Sequence, residues 1–126
     1  MWQDGPDLLQ TALVPACALV TLSSGKRIIV VADDLTTQYL ELGTGTGWRY
    51  GPPIPYYIPQ PTMVSIDDNG SALLFGFGTG TKILRYNCSN GNPNDCSWVE
   101  LDLQLPFEAV GPVTMLIPDE IAPSCN

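Results

Sequence analysis

Three tryptophans, Trp2, Trp48 and Trp98, recur along the chain at separations of 46 and 50 residues, and their surroundings recur with them. The run Trp2-Gln3-Asp4-Gly5-Pro6-Asp7-Leu8 lies over Trp48-Arg49-Tyr50-Gly51-Pro52-Pro53-Ile54. A third copy, Trp98 to Pro106, keeps the tryptophan and a closing Leu-Pro but loses the Gly-Pro. Repetition at this period constrains the fold more than any other feature. Each unit of about 45–50 residues is one supersecondary module that cannot bury its apolar face alone, so units must stack.

Inside each unit the pattern is that of strands. Helical periodicity is nearly absent, and twelve glycines and twelve prolines cut the chain into short runs. Pro15, Pro61 and Pro112 each open an apolar segment: Ala16 to Leu22, Thr62 to Ile66 and Val113 to Ile117. A proline at a strand's first residue sacrifices no ladder hydrogen bond. Polar turns follow, Ser23-Ser24-Gly25 and Asp67-Asp68-Asn69-Gly70, the second holding the Asn-Gly pair favoured in hairpins. Ile28 to Ala32 and Ala72 to Phe77 are wholly apolar, which predicts burial on both faces. Gln38 to Leu42 and Lys82 to Tyr86 interleave polar residues, and the tryptophan segment closes the unit. The expected fold is therefore all-β, built of four-stranded antiparallel meanders with strands a to d. Residues 1–12 are expected to hold a last strand d of a preceding unit. Residues 13–55 and 56–106 are two complete units, and residues 107–126 hold a following strand a and a tail.

These units resemble kelch repeats over nearly the whole chain, from Trp2 to about Ile117. The matching positions are Tyr39 and Ile83 in strand c, Trp48 and Trp98 in strand d, and the Gly51-Pro52-Pro53-Ile54-Pro55 exit. Where the family carries a diglycine at the end of strand b, this chain has Ala32-Asp33 and Gly76-Phe77-Gly78. The resemblance implies a propeller of roughly six blades, and protein recognition more often than catalysis. Two blades cannot close a ring of four to eight. The expectation is a propeller segment completed by further blades or by other copies of the chain.

Composition removes several functions. The chain of 126 residues contains no histidine. Ser-His-Asp and Cys-His hydrolases and His-ligated zinc or copper sites made by this chain alone are excluded. Thirteen acidic residues against five basic ones give a net charge of −8, which argues against nucleic acid as a partner. No apolar run approaches the ~20 residues of a membrane span, so no membrane insertion is expected. Four cysteines allow three pairings. Cys88 and Cys96 bracket a stretch rich in Asn, Gly and Pro and are the candidate disulfide, with a metal pair as the weaker alternative. Cys17 in strand a reads as a small buried apolar residue. A Cys17–Cys125 bridge is conceivable, and either cysteine has the alternative of a partner outside this chain. The sequons at Asn69 and Asn87 are candidate glycosylation sites and fit a secreted chain. Met1 to Pro6 has no signal-peptide character, so Met1 is not expected to be the natural start.

In a meander, successive turns alternate between the two ends. The a–b and c–d turns share one end, which then carries Asn69, Asn87 and the Cys88–Cys96 loop. The other end carries Asp33, Asp34, Tyr56, Tyr57, Phe107 and Glu108, a mix of aromatics and carboxylates that suits a binding face. The plain alternative is that Tyr56 and Tyr57 pack over the blade junction beside Pro55 and Pro59. Asp33-Asp34, Asp67-Asp68 and Asp95 invite a calcium reading, but they match no calcium loop and fit turn chemistry better. Gly43-Thr44-Gly45-Thr46-Gly47 and Gly76 to Lys82 miss the phosphate-loop spacing and read as turns needing positive φ or close backbone approach. Trp48 and Trp98, recurring once per unit, read as blade core rather than as sugar platforms.

The leading expectation is a non-enzymatic, secreted module for protein–protein interaction or structural assembly, with no cofactor, no metal and no catalytic residue. Its partner is a protein or further copies of itself. One alternative is a secreted ligand-binding module for a glycan or an apolar small molecule or chromophore. Another is a blade segment of a propeller enzyme whose catalytic residues lie outside this chain. Copper-oxidase propellers need histidines, and the S-x-D-x-G-x-x-W box of sialidase-type propellers is absent.

Overall fold

The computed structural model describes residues 5–10, 15–32, 35–55, 57–58, 60–66, 70–76 and 82–104. They form an all-β structure of two four-stranded antiparallel sheets, each a simple meander. The first sheet orders β1 (Ala16–Leu22), β2 (Gly25–Val31), β3 (Thr37–Glu41) and β4 (Arg49–Tyr50). The second orders β5 (Pro61–Ser65), β6 (Ala72–Gly76), β7 (Lys82–Cys88) and β8 (Cys96–Gln104). Among the described residues the only helical element is a 3-10 turn at Ser89–Gly91. None of their helices is long and apolar enough to cross a membrane.

The sequence chemistry accounts for the boundaries. Ile28, Ile29, Val30 and Val31 are β-branched and fill a pleated surface well. Leu22 pairs with Gly25 across a tight turn. Pro61 starts β5, where its missing N–H costs nothing. Gly70 has φ +79°, and a Cβ there would sit 2.2 Å from Leu22 Cδ2, so the turn before β6 lies against the end of β1. Gly76 ends β6 because a Cβ would meet the Gln60 carbonyl oxygen at 2.8 Å. Residues 5–10 form no strand.

The sheets stack face to face, with β1 beside β5. Side chains alternate along each strand. Val20, Leu22, Ile29 and Val31 of the first sheet meet Met63, Ala72, Leu74, Leu84 and Tyr86 of the second, and Ile54 and Ile58 of the connector complete the core. We call these the inner sides. Burial on both faces holds for β2, where Val30 faces outward yet is 8% exposed. It does not hold for β6, where Ala72, Leu74 and Gly76 are buried but Leu73 and Phe75 are only half-buried. Cys17 departs from expectation too. It is an exposed free thiol, because the alternation that sends Ala16, Val20 and Leu22 inward sends Cys17 and Leu19 outward. Of the strand d expected within residues 1–12, the described residues 5–10 form no strand, and residues 1–4 and 11–12, strand a at 113–117 and Cys125 lie outside the described residues.

The turns sort to two ends. At one, Ser23 donates through its backbone N–H and through its hydroxyl to the Gly91 carbonyl, both at 3.0 Å. At the other, Ile54 N–H donates to the Leu35 carbonyl at 3.1 Å, tying the d-to-a connector to the turn between β2 and β3.

Candidate functional site

Cys88 and Cys96 form a disulfide that clips β7 to β8 at the mouth of the loop between them. The closed loop reaches across to the first sheet. Its Gly91 carbonyl takes the Ser23 hydrogen bonds, and its Pro93 carbonyl accepts from Arg27 Nη2 at 3.1 Å. Arg27 is 2% exposed and is the hub of the junction. Its Nε donates to Glu41 Oε1 at 2.9 Å and its Nη2 donates to the same oxygen. Its Nη1 donates to the Tyr86 hydroxyl at 3.0 Å, and its guanidinium lies 3.9 Å from the Tyr39 ring centroid. A charge buried this deeply survives only because it is paired and hydrogen-bonded. Among the described residues no buried side-chain nitrogen or oxygen lacks a partner.

The electrostatics follow from this packing. Burial works to lower the Arg27 pKa, but the Glu41 hydrogen bond and the Tyr86 oxygen outweigh it, and the guanidinium is held above its ordinary value. Burial pushes the Tyr86 phenol above its ordinary value, and Arg27 offsets only part of that rise. Tyr86 is fully buried and meets Trp98 edge-on, with ring centroids 5.2 Å apart and planes at 65°. Beside this cluster lies a hollow of about 340 Å³ bounded by Tyr39, Tyr50, Pro52, Asn94 and Cys96. Arg27 was not among the expected site residues. Its signal in the sequence is a cation placed directly before the apolar run of β2, on the opposite side of the strand from the exposed Lys26.

The two tryptophans play the same role one unit apart. Trp48 Nε1 donates to the Pro6 carbonyl at 2.9 Å, and Trp98 Nε1 donates to the Pro52 carbonyl at 3.2 Å. Pro6 and Pro52 are the matched residues of the two Gly-Pro exits. Trp98 also donates to Thr37 Oγ1 at 3.0 Å and packs against the core. Trp48 is half-buried on the outer side of the first sheet, away from that core, because its neighbour there is the 5–10 segment rather than another described sheet. Gln38 anchors the same segment: it accepts from Leu9 N–H at 2.8 Å and donates to the Gln10 carbonyl at 2.9 Å.

The expected binding end is described only in part. Tyr57 is 54% exposed, and Leu35 and Tyr50 are 39% and 57% exposed. Leu35, Tyr50, Gly51 and Pro53 border a shallow hollow of about 270 Å³. Leu35 adopts φ +74°, an uncommon conformation for a branched side chain. Asp33, Asp34, Tyr56, Phe107 and Glu108 lie outside the described residues, as do Asn69, Asp67 and Asp68. Asn87 is a half-buried strand residue in β7, one position before the disulfide, rather than part of the loop. Gly43 and Gly45 have φ of +82° and +72°, as their turn reading requires. No group of three or more metal-ligating side chains gathers among the described residues.

Comparison with protein-family models, with curated proteins and with solved structures finds no match for this chain.

Proposed function

We propose that this chain is a non-enzymatic recognition module of kelch-like blades that works outside the cell. The observation that carries the reading is the pair of tryptophan-to-proline contacts one unit apart, since a bond repeated atom for atom is what stacked blades require. The disulfide supports an oxidising compartment. Loop-borne residues on a rigid scaffold are the usual place for recognition. Leu35 and Tyr57 offer exposed apolar and aromatic surface on turn and connector segments outside the strands. Aromatic anchors of this kind dominate interface energetics.

The test is site-specific photo-crosslinking in extracellular fluid, with the photoreactive group at Tyr57 in one sample and at Asn90 on the opposite end in another. The expected result is a discrete protein adduct from position 57 and from a third sample with the probe at position 35, none from position 90, and loss of the position-35 adduct when Tyr56→Ala and Tyr57→Ala accompany it. Equal labelling at both ends would remove the binding-face assignment.

A further inference from the structure

The loop between β7 and β8 is closed by a cross-link that chain reversal does not require. The counterpart turn of the first sheet, Gly43 to Gly47, reverses the chain on local threonine bonds and contains no cysteine. What the Cys88–Cys96 loop does in addition is reach across the junction. Its Gly91 carbonyl accepts from the Ser23 N–H and hydroxyl, and its Pro93 carbonyl accepts from Arg27. Arg27 Nη1 also lies 3.5 Å from Cys96 Sγ. The hub that holds the sheets and the bond that closes the loop therefore meet at one sulfur.

The two sulfurs differ in access. Cys88 is buried, with the core side chains of β7, on the side that faces the first sheet. Cys96 is half-buried and forms part of the wall of the hollow of about 340 Å³, where Tyr50 and Asn94 are exposed. Cys88 does not line that hollow, so a small thiolate entering it meets Cys96. The rate of thiol–disulfide exchange depends on which sulfur is attacked and on access to it. The strand register adds reversibility. Cys88 stands directly opposite Cys96, and the adjoining pairs Asn87 with Ser97 and Tyr86 with Trp98 keep the two positions facing each other when the bond between them is open.

We propose that Cys96 Sγ is a thiol-exchange site, through which a dithiol reductant entering the hollow opens the Cys88–Cys96 loop of the folded protein and releases the latch between the sheets. One thiolate of the dithiol attacks Cys96 Sγ. The Cys88–Cys96 bond breaks, and Cys88 leaves with the electron pair and takes up a proton. The second thiolate then attacks the reductant's own sulfur in the mixed disulfide, and Cys96 leaves and is protonated in turn. The dithiol ends as a disulfide, having given up two electrons and two protons, and the chain holds two thiols. Without its cross-link the loop regains conformational freedom, which opposes holding Gly91 and Pro93 against Ser23 and Arg27. Reoxidation restores the latch. This site goes beyond the recognition reading and does not rest on it.

The experiment uses the full chain and follows each cysteine by alkylation and peptide mass mapping, with the exposed Cys17 as internal reference. With dithiothreitol, Cys88 and Cys96 should become reduced at a rate that urea leaves unchanged below the unfolding transition. With glutathione and iodoacetamide together, Cys96 should carry the glutathione and the freed Cys88 the alkyl group. Asn94→Trp, at an exposed wall position, should keep the thermal midpoint within a few degrees and slow reduction at least about fivefold. Hydrogen exchange at Ser23 N–H should accelerate at least about tenfold in the reduced, folded protein and return to its starting rate on reoxidation. Reduction that proceeds only through global unfolding would overturn the proposal, as would a reduced chain that unfolds outright. So would glutathione on Cys88 or on neither cysteine of the pair, full-rate reduction of Asn94→Trp, or unchanged exchange at Ser23. Crosslinking at Tyr57 reads a different surface. Its failure would remove the recognition reading and leave the exchange site in place.

Discussion

The two loops that close the meanders, one in each sheet, solve the same problem differently. The turn from Gly43 to Gly47 is short and largely exposed, and the bonds of its threonines stay local: Thr44 Oγ1 donates to the Glu41 carbonyl and meets Thr46 Oγ1 at 2.6 Å. The loop from Ser89 to Asp95 is closed by a disulfide and lends two backbone carbonyls, Gly91 and Pro93, to the neighbouring sheet. A covalently closed loop loses little further entropy when it is asked to hold acceptors in place, so it can serve as a latch. A five-residue glycine-rich turn can reverse the chain but offers no fixed surface to a neighbour. Position in the stack is matched, and function within the stack is not.

Four measurements would break or sharpen that contrast. The largest effect is expected for Arg27→Ala, which strands the half-buried Glu41 carboxylate and the buried Tyr86 hydroxyl. Urea unfolding should show a loss of about 3–5 kcal/mol, and a loss under about 1 kcal/mol would show that the junction does not depend on this hub. Next comes the Cys88→Ala, Cys96→Ala pair. Opening a loop with a sequence separation of 8 should cost about 2–3 kcal/mol in the same assay. Hydrogen exchange at Ser23 N–H should accelerate with it, since its acceptor belongs to the loop. If Ser23 protection survives, the disulfide is not what holds the latch.

Tyr86→Phe is a smaller and more specific probe. It removes one hydrogen bond from Arg27, worth about 1–2 kcal/mol, and it removes a titration. The folded Tyr86 phenol ionises above its ordinary value. Its contribution to stability is therefore complete below about pH 10, where the unfolded phenol is still protonated, and is lost as pH climbs through the raised folded value. Wild type should lose stability over that alkaline window more steeply than the variant. Identical pH profiles would place Tyr86 outside the coupling. Thr44→Ala, in the local loop, should change stability by less than about 0.5 kcal/mol and leave the exchange of Ser23 unaltered. A larger effect would mean that the glycine turn has a structural reach like its counterpart.

Much of the architecture was legible in the residues. Proline-opened apolar runs and polar turns located seven of the eight strands closely, because their signals are local. The edge strand β4 shrank to Arg49–Tyr50, and β7 ran on to Cys88 because the disulfide extends its pairing with β8. The cysteine pair and the positive-φ glycines 43 and 45 were legible for the same local reason. Cys17 was misread because membership in an innermost strand does not fix which way a side chain points. One step of register decides that. Arg27 was overlooked because its partners, Glu41, Tyr86 and Pro93, are 14, 59 and 66 residues away and share no motif with it.

The sequence by itself determined the strands, their turns and the period at which they repeat, because alternation, proline placement and glycine conformations act over a few residues. Only the tertiary structure decided which sides of the two meanders meet, which cation is buried between them and which loop becomes the latch. Those outcomes depend on groups far apart in the chain arriving within hydrogen-bonding distance. No local preference encodes that arrival until the sheets have stacked.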